Sequence, residues 1–273
     1  MPVRVWFVGV CVLLGAGPGA AYDVVSLEDP GRISGRVRLE GERPERGFLP
    51  VLKNADVCGD RVPDDGLVVS GEGGVGGVVV ELAGVTSGKA LPRDRATLDN
   101  RNCAFVPRVQ ALVVGQGLEI FNSDPILHDA HAWLGARTIF NLGLPPWRRV
   151  THVFSEPGLH SIDCNVLHTW MKAWVFVAEH PYVVVSGPDG GFVLDDVPPG
   201  TYDLRLWHER LGEKSVPVTV RPARSVAVDV TMRQGPEHDE SERGRAPGAT
   251  GDASRAPWRR TEGSVGDGEV GHE

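Results

Sequence analysis

Short, valine-rich runs recur along most of this chain, and they restrict its fold more than any other feature. ISGRVRLEG, GVVVELAG, VQALVVG, LEIFNSD, THVFS, AWVFVAEH, YVVVSG, FVLDD, YDLRLWH, VPVTV and SVAVDVTM are rich in β-branched and aromatic residues. Many alternate polar with apolar positions, as a strand with one buried face requires. Gly, Pro, Asp and Asn interrupt them at intervals of about ten residues, the spacing of turns between strands. No stretch combines a helical apolar period with start and stop signals. The expected class is all-β, as one sandwich or a pair of sandwiches.

The two ends read differently from the middle. Residues 1–21, MPVRVWFVGVCVLLGAGPGAA, carry one Arg, an apolar run and then small residues. That is the layout of a secretory signal, with Gly19 and Ala21 suited to the positions before a cut at Ala21–Tyr22. The apolar run is too short to span a bilayer and no second candidate follows it, so no transmembrane anchor is expected after cleavage. Val10 stands before Cys11 where a lipoprotein signal needs a small residue. The expected location is periplasmic or secreted. Residues 234–273 are rich in mixed charge, Gly, Ser and Pro and poor in apolar residues, the composition of a disordered tail. Between these ends the composition divides into a unit at 22–179, which holds the chemistry, and a smaller β-unit at 180–233. The formal net charge is −8, which does not suit nucleic-acid binding.

Outside the leader three cysteines remain, Cys58, Cys103 and Cys164. An odd number in an oxidising compartment leaves one thiol over. Cys58 and Cys103 lie in the loop-like contexts ADVCGD and LDNRNCAF and are the pair expected to bridge, although the sequence does not settle the pairing. Cys164 then stands in Cys164-Asn165-Val166-Leu167-His168-Thr169-Trp170-Met171. Thiolate, imidazole and thioether fall within one short loop between two strands. Soft sulfur ligands favour copper, and two His with one Cys and a weak axial Met form the blue-copper set. A structural zinc site usually takes two or more cysteines and seldom Met. A Cys–His nucleophile would need an orienting partner and an oxyanion hole, and nothing marks either.

The second imidazole is supplied upstream. In VVGQGLEIFNSDPILHDAHAW, a strand through Phe121 leads to Asn122, Asp124 and then His128. This G-x-x-L-x-I-x-N-x-D strand, with a His six residues after the Asn, resembles the plastocyanin and azurin group, the cupredoxins, convincingly over residues 105–178. The resemblance implies a Greek-key β-sandwich holding one copper ion. Its ligands would be His128, Cys164, His168 and axial Met171, and Asn122 would tie the two ligand-bearing segments together by hydrogen bonds. His131 and His160 are spare imidazoles that would give a distorted or red-type site if they joined. His152, His180 and His208 are taken as structural or surface residues.

The rest of the chain is similar to exported bacterial cupredoxin-like proteins of a methylamine-utilisation-like group, in which a His often stands where this chain has Arg108. The loop also departs from plastocyanin. Three residues separate Cys from His and two separate His from Met, as in the second half of the binuclear copper loop of cytochrome oxidase subunit II. The second Cys of that loop is replaced here by His160, which argues for one ion. The smaller unit carries D-G-x-F-x-L-x-x-V-P-x-G-x-Y, from Asp189 to Tyr202, and resembles the prealbumin-like, carboxypeptidase regulatory-like β-sandwich. That resemblance says nothing about activity.

The implied function is one-electron transfer by a non-enzymatic copper protein. Its partner would be a c-type cytochrome or a periplasmic oxidoreductase. The alternatives are a copper-delivery module and a structural envelope protein without redox turnover.

Overall fold

The computed structural model describes residues 22–234. The leader expected at 1–21 and residues 235–273 of the expected tail lie outside the described residues. Among the described residues the regular elements are strands, apart from one short helix, Ala55–Cys58. Among the described residues no helix is long and apolar enough to cross a membrane.

One sandwich surrounds the candidate site. Its first sheet runs in the order Arg149–Val153, Gly117–Asn122, Ala96–Asn100, Phe105–Val106. Its second runs Arg137–Leu144, His128–Leu134, Gly158–Asp163, Lys172–Ala178, Val109–Val113. Period-two alternation decides which side chains face inward. In Gly117–Asn122, for example, Leu118, Ile120 and Asn122 are buried while their neighbours are partly exposed. Leu98, Leu118 and Ile120 of the first sheet share one core with Leu112, Ala130, Ile162, Ala173 and Val175 of the second. Each fully buried Leu or Ile contributes about 1.5–3 kcal/mol. Val109–Val113 pairs in parallel with Lys172–Ala178, although its sequence neighbours Phe105–Val106 and Gly117–Asn122 lie in the opposite sheet. The chain therefore crosses between sheets and back, as Greek-key sandwiches do.

A second sandwich combines segments from both ends of the described chain. One sheet is Val183–Val185, Val79–Ala83, Gly200–His208, Gly212–Val220; the other is Gly191–Val197, Gly31–Leu39, Ser225–Ala227, with Val230–Met232 also on Gly31–Leu39. Ile33, Val37, Val80 and Leu82 share its core with Leu194, Leu204, Leu206 and Val218. This corrects the boundary read from composition. The 22–179 unit was expected to include the strands at 31–39 and 79–83, but their backbone partners lie beyond residue 182. Strand pairing is non-local and leaves no mark on local composition. Gly190 of the Asp-Gly-Gly turn has φ +82°, and an added Cβ would lie 2.2 Å from the Val37 carbonyl oxygen. Only glycine fits this left-handed, backbone-to-backbone approach.

The two sandwiches meet through a buried cluster of Val79, Phe176, Ala178 and Trp207. Arg108 lies beside it. Its guanidinium donates from Nε and Nη2 to the two carboxylate oxygens of Glu209, at 2.6 and 2.8 Å. Arg108 thus joins the two units through Glu209.

His208 ends the strand Gly200–His208 and is buried. Its Nδ1 accepts from the Arg210 backbone N–H at 3.1 Å. Burial pushes its pKa down to about 4, below the value of about 6.5 for an unfolded-chain histidine. Between these values the unfolded state binds more protons, so this stabilisation is complete above about pH 6.5 and is lost as the pH falls toward 4. His208→Asn keeps a side-chain acceptor without the titration. Its urea midpoint should fall less than the wild-type midpoint between pH 7 and pH 4. Equal falls would assign the acid sensitivity to other groups.

Candidate metal centre

Strand register delivers the donor residues to one end of the first sandwich. His128 opens the strand His128–Leu134, which pairs antiparallel with Gly158–Asp163, His131 opposite Asp163. Cys164 is the next residue, so it emerges beside the start of the His128 strand. The ligand loop closes at once, because Asp163 pairs with Lys172 on the following strand. Residues 164–171 thus form a tight connection whose ends are fixed by the sheet. Within it Leu167 adopts φ +70°, a left-handed conformation uncommon for a leucine. Such strain, about 1–3 kcal/mol, persists where surrounding structure holds it.

Three donor atoms converge there. His128 Nδ1 and His168 Nδ1 lie 3.0 Å apart, and Cys164 Sγ lies 3.9 Å from the first and 3.6 Å from the second. A point equidistant from all three is about 2 Å from each, the length of a metal–nitrogen bond. His128 and His168 are fully buried and Cys164 nearly so. Met171 is buried in the same apolar cluster as Cys164, Trp170 and Phe105, and its backbone N–H donates to the His168 carbonyl at 2.9 Å. Cys103, Asp124 and His128 form a second compact group, but Cys103 is oxidised and offers no thiolate.

The outer partners decide the protonation of both rings. His128 Nε2 meets Asp124 Oδ2 at 2.9 Å, and His168 Nε2 meets Asn54 Oδ1 at 2.9 Å. Both oxygens are acceptors, so each ring carries its proton on Nε2 and directs the Nδ1 lone pair at the other ring. Asp124 is itself held by the backbone N–H groups of Asn102 and Cys103, both at 2.8 Å. Burial lowers the His128 pKa, with Asp124 opposing, and pushes His168 down to about 4. Burial also pushes the Cys164 thiol up to about 12. The protonated thiol can donate to only one of the two facing nitrogen lone pairs, and a cation would satisfy both and allow the thiol to ionise. The donor set therefore fits a soft or borderline metal ion.

Further hydrogen bonds lock the loop. The Asp129 backbone N–H donates to Cys164 Sγ at 3.4 Å. The Asp129 carboxylate accepts from the Asn165 backbone N–H, and the Asn165 amide contacts His131 Nδ1. These residues join the two donor segments, the role that the resemblance gave to Asn122. Asn122 instead donates to the carbonyls of Ile126 at 2.8 Å and Leu144 at 2.7 Å, and accepts from the Asp124 N–H. It shapes the turn before His128. The spare imidazoles have other partners. His131 Nε2 pairs with Thr138 Oγ1 at 2.9 Å and its ring stacks on Trp133. His160 Nε2 meets the Glu156 carbonyl at 3.1 Å, and its ring packs on Phe154. Neither belongs to the convergent group.

Cys58 and Cys103 are joined by a disulfide. Asp124, Asp129, Asn165 and Asn54 are the partners that sequence reasoning missed. Asp124 and Asp129 flank His128, so their proximity was visible, but their contacts depend on the turn and the register. Asn54 lies 114 residues from His168, and no local signal connects them.

No protein-family model and no curated protein matches this chain. Solved structures similar to part of it include a Cu-containing nitrite reductase from Thermus scotoductus, at 26% identity and TM-score 0.30, covering 34% of this chain and 24% of that one. A purple cupredoxin from Nitrosopumilus maritimus matches at 24% identity and TM-score 0.27, covering 30% of this chain and 99% of its own. Amicyanin from Paracoccus versutus matches at 15% identity and TM-score 0.28, covering 32% and 84%. The chain thus spans about a quarter of the nitrite reductase and most of the two smaller proteins.

Asp124 anchors the ring of His128. In metal-free protein, Asp124→Ala removes the acceptor of one imidazole N–H and two backbone N–H groups. Unsatisfied buried donors cost about 1–3 kcal/mol each, so urea unfolding should show a clear loss of stability. A midpoint unchanged from wild type would mean that the carboxylate does not bear this load.

Proposed function

We propose that this chain is an exported cupredoxin-type protein that holds one copper ion and transfers single electrons. His128 Nδ1, Cys164 Sγ and His168 Nδ1 would be the principal ligands, with Met171 as the axial thioether. The observation that carries this reading is the buried convergence of three donor atoms, with each histidine held from behind by an oxygen that can only accept, Asp124 Oδ2 or Asn54 Oδ1. A single thiolate with two imidazoles suits copper better than structural zinc. Copper would supply the one-electron couple. The protein's part is to keep the donors in place through both oxidation states, and the loop locks at Asp129 and Asn165 serve that purpose. The Asp129 N–H bond to the sulfur draws electron density from the thiolate, a recognised way to tune such a site.

Leu127 and Leu167 each adjoin one of these histidines and are 50% and 61% exposed. They offer an apolar rim for transient docking of a partner, such as a c-type cytochrome or a periplasmic oxidoreductase. Burial of the donors favours retention over delivery, because a delivery module must expose its ligands to a recipient. The Cys58–Cys103 disulfide accords with an oxidising compartment. The second sandwich, which resembles carboxypeptidase regulatory-like domains in sequence, contributes none of the three donors and serves as a mount.

Cupric loading of the wild type should produce an intense visible thiolate-to-copper band, and Cys164→Ser should abolish it. Copper binding without such a band in the wild type would contradict the proposal and favour the delivery or structural reading.

A further inference from the structure

The segment around Asn54 is the part of the centre that the ligand-bearing strands do not explain. It belongs to an excursion between the strand pair Phe48–Pro50 and Arg61–Pro63, remote in sequence from every donor. Asn54 has φ +59° and ψ +39° at the start of the one-turn helix Ala55–Cys58, yet its side chain makes no capping hydrogen bond there. Asn is among the residues favoured at that position because its side chain can cap the helix. Here the side-chain oxygen reaches His168 Nε2 at 2.9 Å instead.

The far end of the same turn is fastened. Cys58 is bonded to Cys103, whose backbone N–H donates to Asp124 at 2.8 Å. Asp124 accepts from His128 Nε2. One disulfide therefore links the outer partners of both histidines. Trp170 strengthens the junction by donating from Nε1 to the Cys103 carbonyl at 3.0 Å. The outer edge of His168 is fully buried even though the loop carrying it also carries the exposed Leu167.

We propose that Asn54 is a positioning residue for the metal, and that the Cys58–Cys103 disulfide fastens residues 54–58 as a cover over His168 which slows escape of the ion. The inference rests on the copper reading above and deepens it. Asn54 fixes the ring orientation and tautomer of His168 without touching the metal. The bridge keeps the acceptor from drifting away with its loop. Losing either should open the same exit, so their effects should not add.

The test uses the mature protein loaded with cupric ion and challenged with excess EDTA, following bound copper by elemental analysis after rapid desalting and the coordination by electron paramagnetic resonance. Asn54→Gly tolerates the left-handed backbone but removes the acceptor, and Asn54→Asp restores an acceptor oxygen. Loss of an outer partner to a metal-bound histidine typically weakens binding by about 10–100-fold. Asn54→Gly should therefore release copper at least about tenfold faster with an altered resonance spectrum, and Asn54→Asp should stay near wild type. Cys58→Ser/Cys103→Ser should also release faster, and adding Asn54→Gly to it should change little more. Wild-type release and spectrum in Asn54→Gly, with the thiolate band present, would overturn this inference and leave the copper reading intact. Failure of the wild type itself to bind copper would overturn both.

Discussion

Two buried imidazole nitrogens face each other at 3.0 Å beside a nearly buried cysteine sulfur, and most of the surrounding architecture answers to that arrangement. Each ring is pinned from behind by an oxygen that can only accept, so neither turns its proton inward, and the protonated thiol can satisfy only one of the two facing lone pairs. Burial holds both imidazoles neutral and resists ionisation of the thiol. An interior of this kind is costly unless a cation shares the lone pairs. The packing of the sandwich keeps the donors together and stops the loop from relaxing.

The sheets determine where that happens. Pairing of His128–Leu134 with Gly158–Asp163 sets the first histidine and the cysteine at the same end, and the Asp163–Lys172 pair closes the loop that returns with His168. A one-residue slip in this register would turn Cys164 to the opposite face. The apolar core of Leu118, Ile120, Ile162 and Val175 opposes such a slip. The second sandwich is joined through Val79, Phe176 and Trp207 and through the Arg108–Glu209 ion pair. It has its own core and shares none of the convergent donors.

The β-class was legible because strand patterns are local, alternating in GLEIFN and continuously apolar and aromatic in AWVFVA. The convergent group was legible for a similar reason. His128 follows a recognisable strand, while Cys164 and His168 share one loop. Long-range pairing was hidden. The strand Gly31–Leu39 reads like any other, and nothing in its residues says that its partners begin near residue 191. The outer partners were hidden too. Asn122 was expected to bridge the donor segments, but its amide is consumed by Ile126 and Leu144, and the neighbouring Asp129 with Asn165 makes the connection. A side chain's partner depends on which backbone groups the turns leave unpaired, and that follows only from the folded chain. Asn54 is the extreme case, since its role depends on a disulfide and on a loop far away in sequence.

The most direct measurement of the central claim is X-ray absorption at the copper edge of the cupric protein, which counts the atoms bound to the ion. The account requires one short copper–sulfur contact and two imidazole nitrogens at about 2 Å, with that sulfur contact absent in Cys164→Ser. A shell of nitrogen and oxygen alone, with no sulfur scatterer in the wild type, would show that the ion does not sit among His128, Cys164 and His168, and would contradict the account.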